Sequence, residues 1–541
     1  MSTQSYDYIV IGAGSAGCVI ANRLGEDPKA RILVIEAGGS DKSFLFRRPG
    51  ALAIVYESPQ LKAMSDWGYK TAPQKAMDGR VMPWTRGKVL GGCSSVNGML
   101  YIRGHRANYD EWRDWGNPGW GYDDVLPYFK KSESFEKGEG KYHGGRGPLG
   151  VTSQENQSVV TLGFNEAIAS ACGVRVIDDF NGEQQEGACS YHQTCANRKR
   201  ISTSVAFLYP AMARGNVEVA DQALVHKIVI ENGRATGVVY SKGGATFTAR
   251  AGAEVILSGG AIGSPQILML SGVGPADHLK KVGVDVVADL PGVGQNLHDH
   301  LMVPVRYETT ADAGHTSTAP HYIGGMLRDF LFNKGWFGKT FLEGGAFVKT
   351  RAEEPIPDLQ FFGLPWAYPE PNDDGPKKGV ISKKPSFTVL AGMIYPKSRG
   401  EIRLQSTDPN VAPSIDPRYL EDPDDMRVMV RGLEIARAVA GEAAFKRYVI
   451  AERTPGPACS SRQQLEAHVR MFGKTIYHPV GTCKMGNDPL AVVNHELRVH
   501  GVAGLRVADA SIMPKIVGGN TNAPSIMIGE KCSDLIRSGR A

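Results

Sequence analysis

Gly12, Gly14 and Gly17 form a GxGxxG set between the apolar run DYIVI at 7–11 and the segment CVIANRLGED. Each glycine suits one part of dinucleotide binding. The first permits a tight turn, the second lets backbone approach a pyrophosphate, and the third lets helix and strand pack closely. The helix that follows offers free N–H groups to phosphate, with Ser15 and Ala16 in its first turn. A second apolar run, RILVIEAGG at 31–39, carries Glu36 and Ala37. Glu36 lies where a carboxylate would bond a ribose 2′-hydroxyl, and it would repel a 2′-phosphate, which disfavours an NADP-type ligand. The fingerprint alone does not separate NAD from FAD. Ser15, flanked by glycines, also invites comparison with a hydrolase nucleophile elbow. The helix start and Glu36 explain these glycines better.

Other reactive side chains carry weaker signals. His298 and His300 form HxH in GQNLHDH. Two ligands without a nearby third are a poor metal signature, so both are expected to be structural and no metal is expected. The eight cysteines contain no CxxC pair, which suggests neither a zinc site nor a thiol redox centre. Glu343, in FLEGGAF, is a candidate for a cationic substrate head such as trimethylammonium, although no tyrosine or tryptophan flanks it to begin an aromatic cage.

The elements that must position these groups follow from periodicity. Strand, glycine turn, helix and strand over the first 39 residues make one βαβ unit. Runs between 224 and 257 (LVHKIVI, RATGVVY, ATFTARA and AEVIL) alternate with turns and read as a β-meander. GGAIGSPQILMLSGVG at 259–274 begins a helix, and residues 424–447 have helical periodicity. Residues 309–395 hold few strong patterns and many aromatics and prolines, and are expected to face the substrate. The tail returns to strand, turn and helix.

Composition bounds the class. Glycine occurs 65 times in 541 residues, well above the usual ~7%. Lys+Arg 61 less Asp+Glu 56 leaves +5. With no basic block of five or more, nucleic acid is a poor partner. No run of 18 apolar residues exists, so no spanning helix is expected. MSTQSYDYIVIGAG lacks the basic region of a secretory signal. The expected place is the cytoplasm, with peripheral attachment to the inner face of the membrane as the alternative.

The N-terminal fingerprint, GKVLGGCSSVNGMLYIRG at 87–104, GAIGSPQILMLSGVG, YHPVGTCKMG at 477–486 and LRVADASIMPKIVGGNTNAPSIMIGEK at 505–531 together resemble the glucose–methanol–choline oxidoreductases. The resemblance spans essentially the whole chain and is weakest over 309–390. It looks closest to choline, aliphatic alcohol and sorbose dehydrogenases. It implies an α/β fold with a Rossmann-like FAD-binding domain and meander over 1–158, 198–308 and 476–541. A substrate domain with an antiparallel sheet and helices would take 159–197 and 309–475. It also implies that Gly12, Gly14, Gly17 and Glu36 hold the ADP half of FAD. Arg86, Gly91, Gly92, Ser94, Ser95, Asn97 and Gly98 would wrap the flavin and ribityl region, and Val225 would meet adenine through its backbone. Asp509 and Ala510 would lie near the pyrophosphate, with Asn522 and Pro524 at the pyrimidine edge. His478 and Asn520 would face flavin N5. Members that bind flavin covalently carry histidine where this chain has Val96, so non-covalent FAD is expected.

The chemistry agrees. An alcohol must lose a proton from oxygen and a hydride from carbon. Neutral imidazole, with a reference pKa near 6.5, accepts a proton near neutral pH. Asn520 can bind the substrate oxygen but cannot take its proton. The expectation is oxidation of a primary alcohol to an aldehyde, His478 acting as base and the hydride passing to N5. The electron acceptor is expected to be quinone-like, with O2 as the alternative. A lyase of the same fold and a flavin-binding module without catalysis are the rival readings. The particular alcohol and the oligomeric state are not legible.

Overall fold

A computed structural model describes residues 4–154, 157–316, 318–368 and 383–539. The proline-rich end of the expected substrate-facing stretch, from 369 onward, lies outside the described residues up to 382.

Two sheets organise the chain. The first grows from the two N-terminal apolar runs, β1 (Gln4–Ile11) and β2 (Ile32–Ile35). Strands covered on both faces need near-continuous apolar side chains, and Ile9, Val10 and Ile32 through Ile35 are all buried. β1 and β2 pair in parallel, Ile9 opposite Leu33, with α1 (Ser15–Leu24) as the crossover. Val217–Ala220 extends the sheet in parallel beyond β2.

On the other side of β1 lies one long strand, Ala245–Leu257. Its later half pairs in parallel with β1 and with Leu505–Val507. Its earlier half pairs antiparallel with Arg234–Lys242, which pairs in turn with Ala223–Glu231. The expected meander is therefore present, but its last two runs are one strand. The register shifts between the Tyr6–Ala251 and Tyr8–Glu254 pairs. That irregularity interrupts the alternation of side chains, so the sequence pattern breaks where the strand does not.

The second sheet is antiparallel throughout. Its order is Val449–Thr454, Leu301–Thr309, Ser386–Met393, Leu359–Leu364, Gly344–Val348 and Gly187–Ser190, with Lys474–Thr475 also beside Leu301–Thr309. The helices Val159–Cys172 and Pro423–Gly441 cover one face. At Gly432 the helix comes so close that an added Cβ would lie 3.0 Å from that of Ala391. Val303, Val305, Leu359, Phe361, Val389 and Ala391 join the core on this face. Met302, Phe362 and Leu390, one position out of phase, belong to a separate apolar cluster on the other. Because both faces are covered, these strands are apolar without alternation. That is why 309–395 shows so little pattern in the sequence.

The first glycine turn is tight. Gly12 has φ +97°, and a Cβ added to Gly17 would lie 1.9 Å from the Gly12 carbonyl oxygen. Gly17→Ala must push α1 off β1, and should cost roughly 1–3 kcal/mol and lower Tm by several degrees. Thermal unfolding of the purified variant measures this; an unchanged Tm would mean that the helix and strand do not depend on this contact.

Candidate active site

A cavity of about 530 Å³ opens where β1 and β2 end. Its walls gather residues from across the sequence: Gly12, Gly14, Ser15, Ala16, Glu36, Ala37, Arg86, Gly92, Asn97, Gly98, Val225, His478, Asp509, Ala510, Asn520 and Asn522. A Cβ on Gly14 would meet nothing within 4 Å, so at this point bare backbone faces the cavity. Three helices begin at the wall: α1, Gly260–Leu270 and Asn522–Ser538. Helix N-termini carry unpaired N–H groups and partial positive charge. A pyrophosphate therefore fits this end on the structure's own terms. Ser15 Oγ donates to Asn522 Oδ1 at 2.8 Å, tying two of these helix starts together. Asp509 ties in the third, its Oδ2 accepting from the Gly260 N–H and from Ser264 Oγ.

Glu36 is buried at the end of β2, and burial pushes its pKa up. Its carboxylate accepts from the N–H groups of Ala13 at 2.9 Å and Gly38 at 2.7 Å. Gly17, Gly91, Ser94, Ser95 and Pro524 stand one layer behind the wall. Gly91 donates its N–H to the Ala13 carbonyl, joining the second glycine turn to the first. Ser94 Oγ donates to the Gly91 carbonyl and Ser95 Oγ to the Leu90 carbonyl, which pins the loop from within. Pro524 is buried in the first turn of its helix, where no N–H is missed.

His478 is buried between two partners. Its Nδ1 lies 3.0 Å from His300 Nδ1, and its Nε2 lies 3.2 Å from Asn520 Nδ2. The protons can be assigned from the ends of this chain. His300 Nε2 is 3.0 Å from the Ile394 carbonyl oxygen, which only accepts, so His300 carries its proton there. His300 Nδ1 is then an acceptor, His478 Nδ1 is the donor, and His478 Nε2 keeps a lone pair. Asn520 is oriented to match, since its Oδ1 accepts from Gln360 Nε2 at 3.2 Å and turns its amide N–H groups toward the imidazole. Burial holds the pKa of His478 well below the usual value, with further lowering from His300 and Arg86. Burial likewise pulls His300 down to about 3. The backbone is anchored too: the His478 N–H donates to Asp299 Oδ1 at 2.7 Å. Tyr477, just before it, has φ +68°, a conformation that costs a non-glycine residue energy and recurs at functional sites.

His300 corrects the expectation that both residues of HxH are structural. His298 fits that expectation: its Nδ1 donates to the Asn296 carbonyl and its Nε2 accepts from the Ile516 N–H. His300 instead sets the tautomer of His478. Gln360 and Asp299 also went unread, because nothing local marks a side chain whose partner is more than 150 residues away.

Glu343 is not among the lining residues. Its Oε2 accepts from the Ser158 N–H, Ser158 Oγ and Thr161 Oγ1, and its Oε1 pairs with Lys339. Burial pushes its pKa up, but Lys339 and the two hydrogen bonds from Ser158 together outweigh this and the net shift is downward. The carboxylate is thus occupied by an internal ion pair and does not meet the cavity. Among the described residues, one cluster, His143, Asp179 and His192, has metal-like spacing. Both nitrogens of His143 already meet carboxylates, Glu133 at 3.0 Å and Asp179 at 2.8 Å, which accounts for the cluster as an ion-pair knot.

Comparisons place this architecture among known proteins. Family models described as GMC oxidoreductase match residues 6–302 and 396–529. The chain is 42% identical to an oxygen-dependent choline dehydrogenase of Sinorhizobium medicae, over 98% of this chain and 95% of that one. It is 40% identical to an alcohol dehydrogenase (acceptor) of Pseudomonas putida, with the same coverage. Among solved structures, pyridoxine 4-oxidase from Mesorbium loti matches with TM-score 0.87 at 28% identity, covering 98% of each chain. An Aspergillus oryzae formate oxidase variant matches with TM-score 0.90 at 26% identity, covering 100% of this chain and 99% of that one.

The proton assignment can be measured. His478 should remain a neutral imidazole protonated at Nδ1 down to pH values below the reference of about 6.5. Nitrogen NMR of the histidine-labelled protein, with His478→Gln to assign the signal, reads this directly. An imidazolium signal at neutral pH, or a proton on Nε2, would overturn it.

Proposed function

The chain belongs to the GMC oxidoreductase family, and from that premise we propose that it oxidises a neutral, apolar primary alcohol to the aldehyde with FAD held in the cavity. FAD is the cofactor named with two structural relatives, the formate oxidase and an oxidoreductase of Chaetomium thermophilum. The three helix starts, the bare backbone at Gly14 and Glu36 would hold the ADP half, and the loop from Arg86 to Gly98 the flavin half. Val96 offers no nucleophilic atom, which supports non-covalent binding. This reading divides the chain into a cofactor unit and a substrate unit. The cofactor unit would take 1–158, 198–308 and 476–541 and the substrate unit 159–197 and 309–475, with Leu301–Thr309 lending a strand to the second sheet.

The observation that carries the reading is the unprotonated Nε2 of His478 beside Asn520. A substrate hydroxyl that displaces the Asn520 N–H from His478 Nε2 donates its proton to that nitrogen, while its oxygen accepts the freed Asn520 Nδ2–H. His478 then becomes an imidazolium, and its Nδ1–H bond to His300 stays in place. Bound FAD supplies the acceptor for the hydride that leaves the carbinol carbon as the C=O bond forms. Gln360 keeps the Asn520 amide turned correctly, and Asp299 keeps the His478 backbone from moving as charge develops. As the final electron acceptor we favour a quinone-like compound; the Pseudomonas putida relative is named only for an unspecified acceptor. Oxygen is the second reading, favoured by the name of the choline-oxidising relative.

The alcohol's character follows from the wall beside Asn520. Gln360, its partner, pairs across the sheet with Gly392, which pairs with Met302. Phe362 and Leu390 form the next row on the same face, and Leu364, Trp366, Phe341 and Ile476 continue the lining. Among the described residues, Glu36 and Asp509 are the only lining carboxylates, and both are bonded to backbone at the glycine-turn end. Lys474 adds a positive charge to the wall. A trimethylammonium group would find no carboxylate here, only aromatic rings such as Trp366 and Phe362, and it would meet the like charge of Lys474.

Two measurements test this. His478→Ala should lower kcat by about 10²–10⁴-fold and leave the bound flavin's visible absorbance in place; retained turnover would remove the base assignment. In steady-state assays with an artificial electron acceptor, kcat/KM for hexan-1-ol or benzyl alcohol should exceed that for choline by about a hundredfold or more. A preference for choline would sink the neutral-alcohol reading while leaving the base intact.

A further inference from the structure

The helix Ala319–Phe332 is turned inside out for a water-soluble surface. Ile323, Leu327, Phe330 and Leu331 recur at helical spacing along one stripe, and with Phe332 they are between 50% and 69% exposed. The inward face mixes small, polar and aromatic residues: Gly325 lies against Trp336, Asp329 is fully buried, and Tyr322 stacks on Trp366. Phe44, itself partly exposed, stacks on Phe330 with ring centroids 5.4 Å apart, so the apolar surface continues onto a second segment. Single exposed apolar residues need no explanation, but a contiguous patch of large ones marks a surface that something covers.

Charge indicates what covers it. Asp329 is the only carboxylate between 319 and 340, and it is neutralised beneath the helix by Arg48 and Arg198. Arg328 and Lys334, on and just beyond the helix, are exposed, as is Lys42 beside the Phe44 segment. The patch is therefore apolar at its centre and cationic at its edge. Phospholipid surfaces with anionic headgroups complement that arrangement: the apolar side chains enter the acyl boundary and the cations meet phosphate. A second copy of the chain complements it poorly, because this helix presents no exposed carboxylate to the partner's cations.

We propose that the outer face of Ala319–Phe332, extended by Phe44, seats this protein on an anionic phospholipid bilayer. The same helix reaches the cavity from its other side, since Tyr322 lines it and stacks on Trp366. Docking would thus put the cavity next to the lipid phase, where apolar alcohols concentrate. The attachment itself is independent of the oxidation chemistry and is read without turnover.

The test uses flavin-loaded protein and vesicles of equal parts phosphatidylglycerol and phosphatidylcholine. At low ionic strength the protein should sediment with these vesicles, and much less with phosphatidylcholine alone. Leu327→Asp and Leu331→Asp should each weaken binding by about tenfold or more, and added salt should weaken it further. Both positions are exposed, so flavin content and Tm should match the parent and confirm folding. Failure to bind at low salt, or binding that both variants retain, would overturn the proposal. So would light scattering that shows a dimer dissolved by Leu331→Asp, because the patch would then belong to a second copy.

Discussion

At the foot of the cavity, backbones touch with no side chain between them. A Cβ on Gly17 would fall 1.9 Å from the Gly12 carbonyl oxygen, and one on Gly92 would fall 2.9 Å from the Gly14 Cα. This contact brings α1 onto β1 and lays the second glycine turn over the first. The Gly91 N–H bond to Ala13 and the Ser15 bond to Asn522 then add the loop and the C-terminal helix. Segments separated by up to 507 residues meet here. A dinucleotide site needs backbone N–H groups at close range, and this meeting supplies them.

The reacting end works on a different principle. Its histidines are kept neutral chiefly by burial, and a line of hydrogen bonds from the Ile394 carbonyl through His300 decides which nitrogen of His478 is unprotonated. A buried imidazole is a ready proton acceptor, but one that becomes charged with little water near it. The bond to His300 and the anchoring of the His478 backbone on Asp299 keep the geometry while that charge forms. The left-handed backbone of Tyr477 is consistent with a local conformation imposed by the surroundings.

The second sheet links these ends to the surroundings. Covered by helices on one face and lined with Met302, Phe362 and Leu390 on the other, it makes the reacting end apolar. Trp366 and Tyr322 carry that apolar character to the outer helix, whose exposed face is equally apolar. Substrate pocket and outer patch are thus two sides of one aromatic layer.

Much of the cofactor end was legible because its physics is local. Glycines at fixed spacing, an apolar run on each side and a carboxylate at a strand end are dictated by covalent geometry and short-range packing; Gly12, Gly14 and Glu36 line the cavity, and the meander is present with its last two runs joined. His478 and Asn520 were singled out through resemblance, but their spacing in the chain says nothing of their 3.2 Å contact. The contact of His300 with His478, and Gln360 altogether, were unreadable, because what makes each important is a partner brought from far along the chain. The strands over 309–395 were hidden because sheets buried on both faces lose their alternation. By itself the sequence marked a glycine turn suited to a dinucleotide and a histidine suited to accept a proton. Tertiary structure alone decided which nitrogen carries that proton, that Glu343 is consumed by Lys339, and what kind of wall the substrate meets. Those are contacts between distant segments, and no periodicity encodes them.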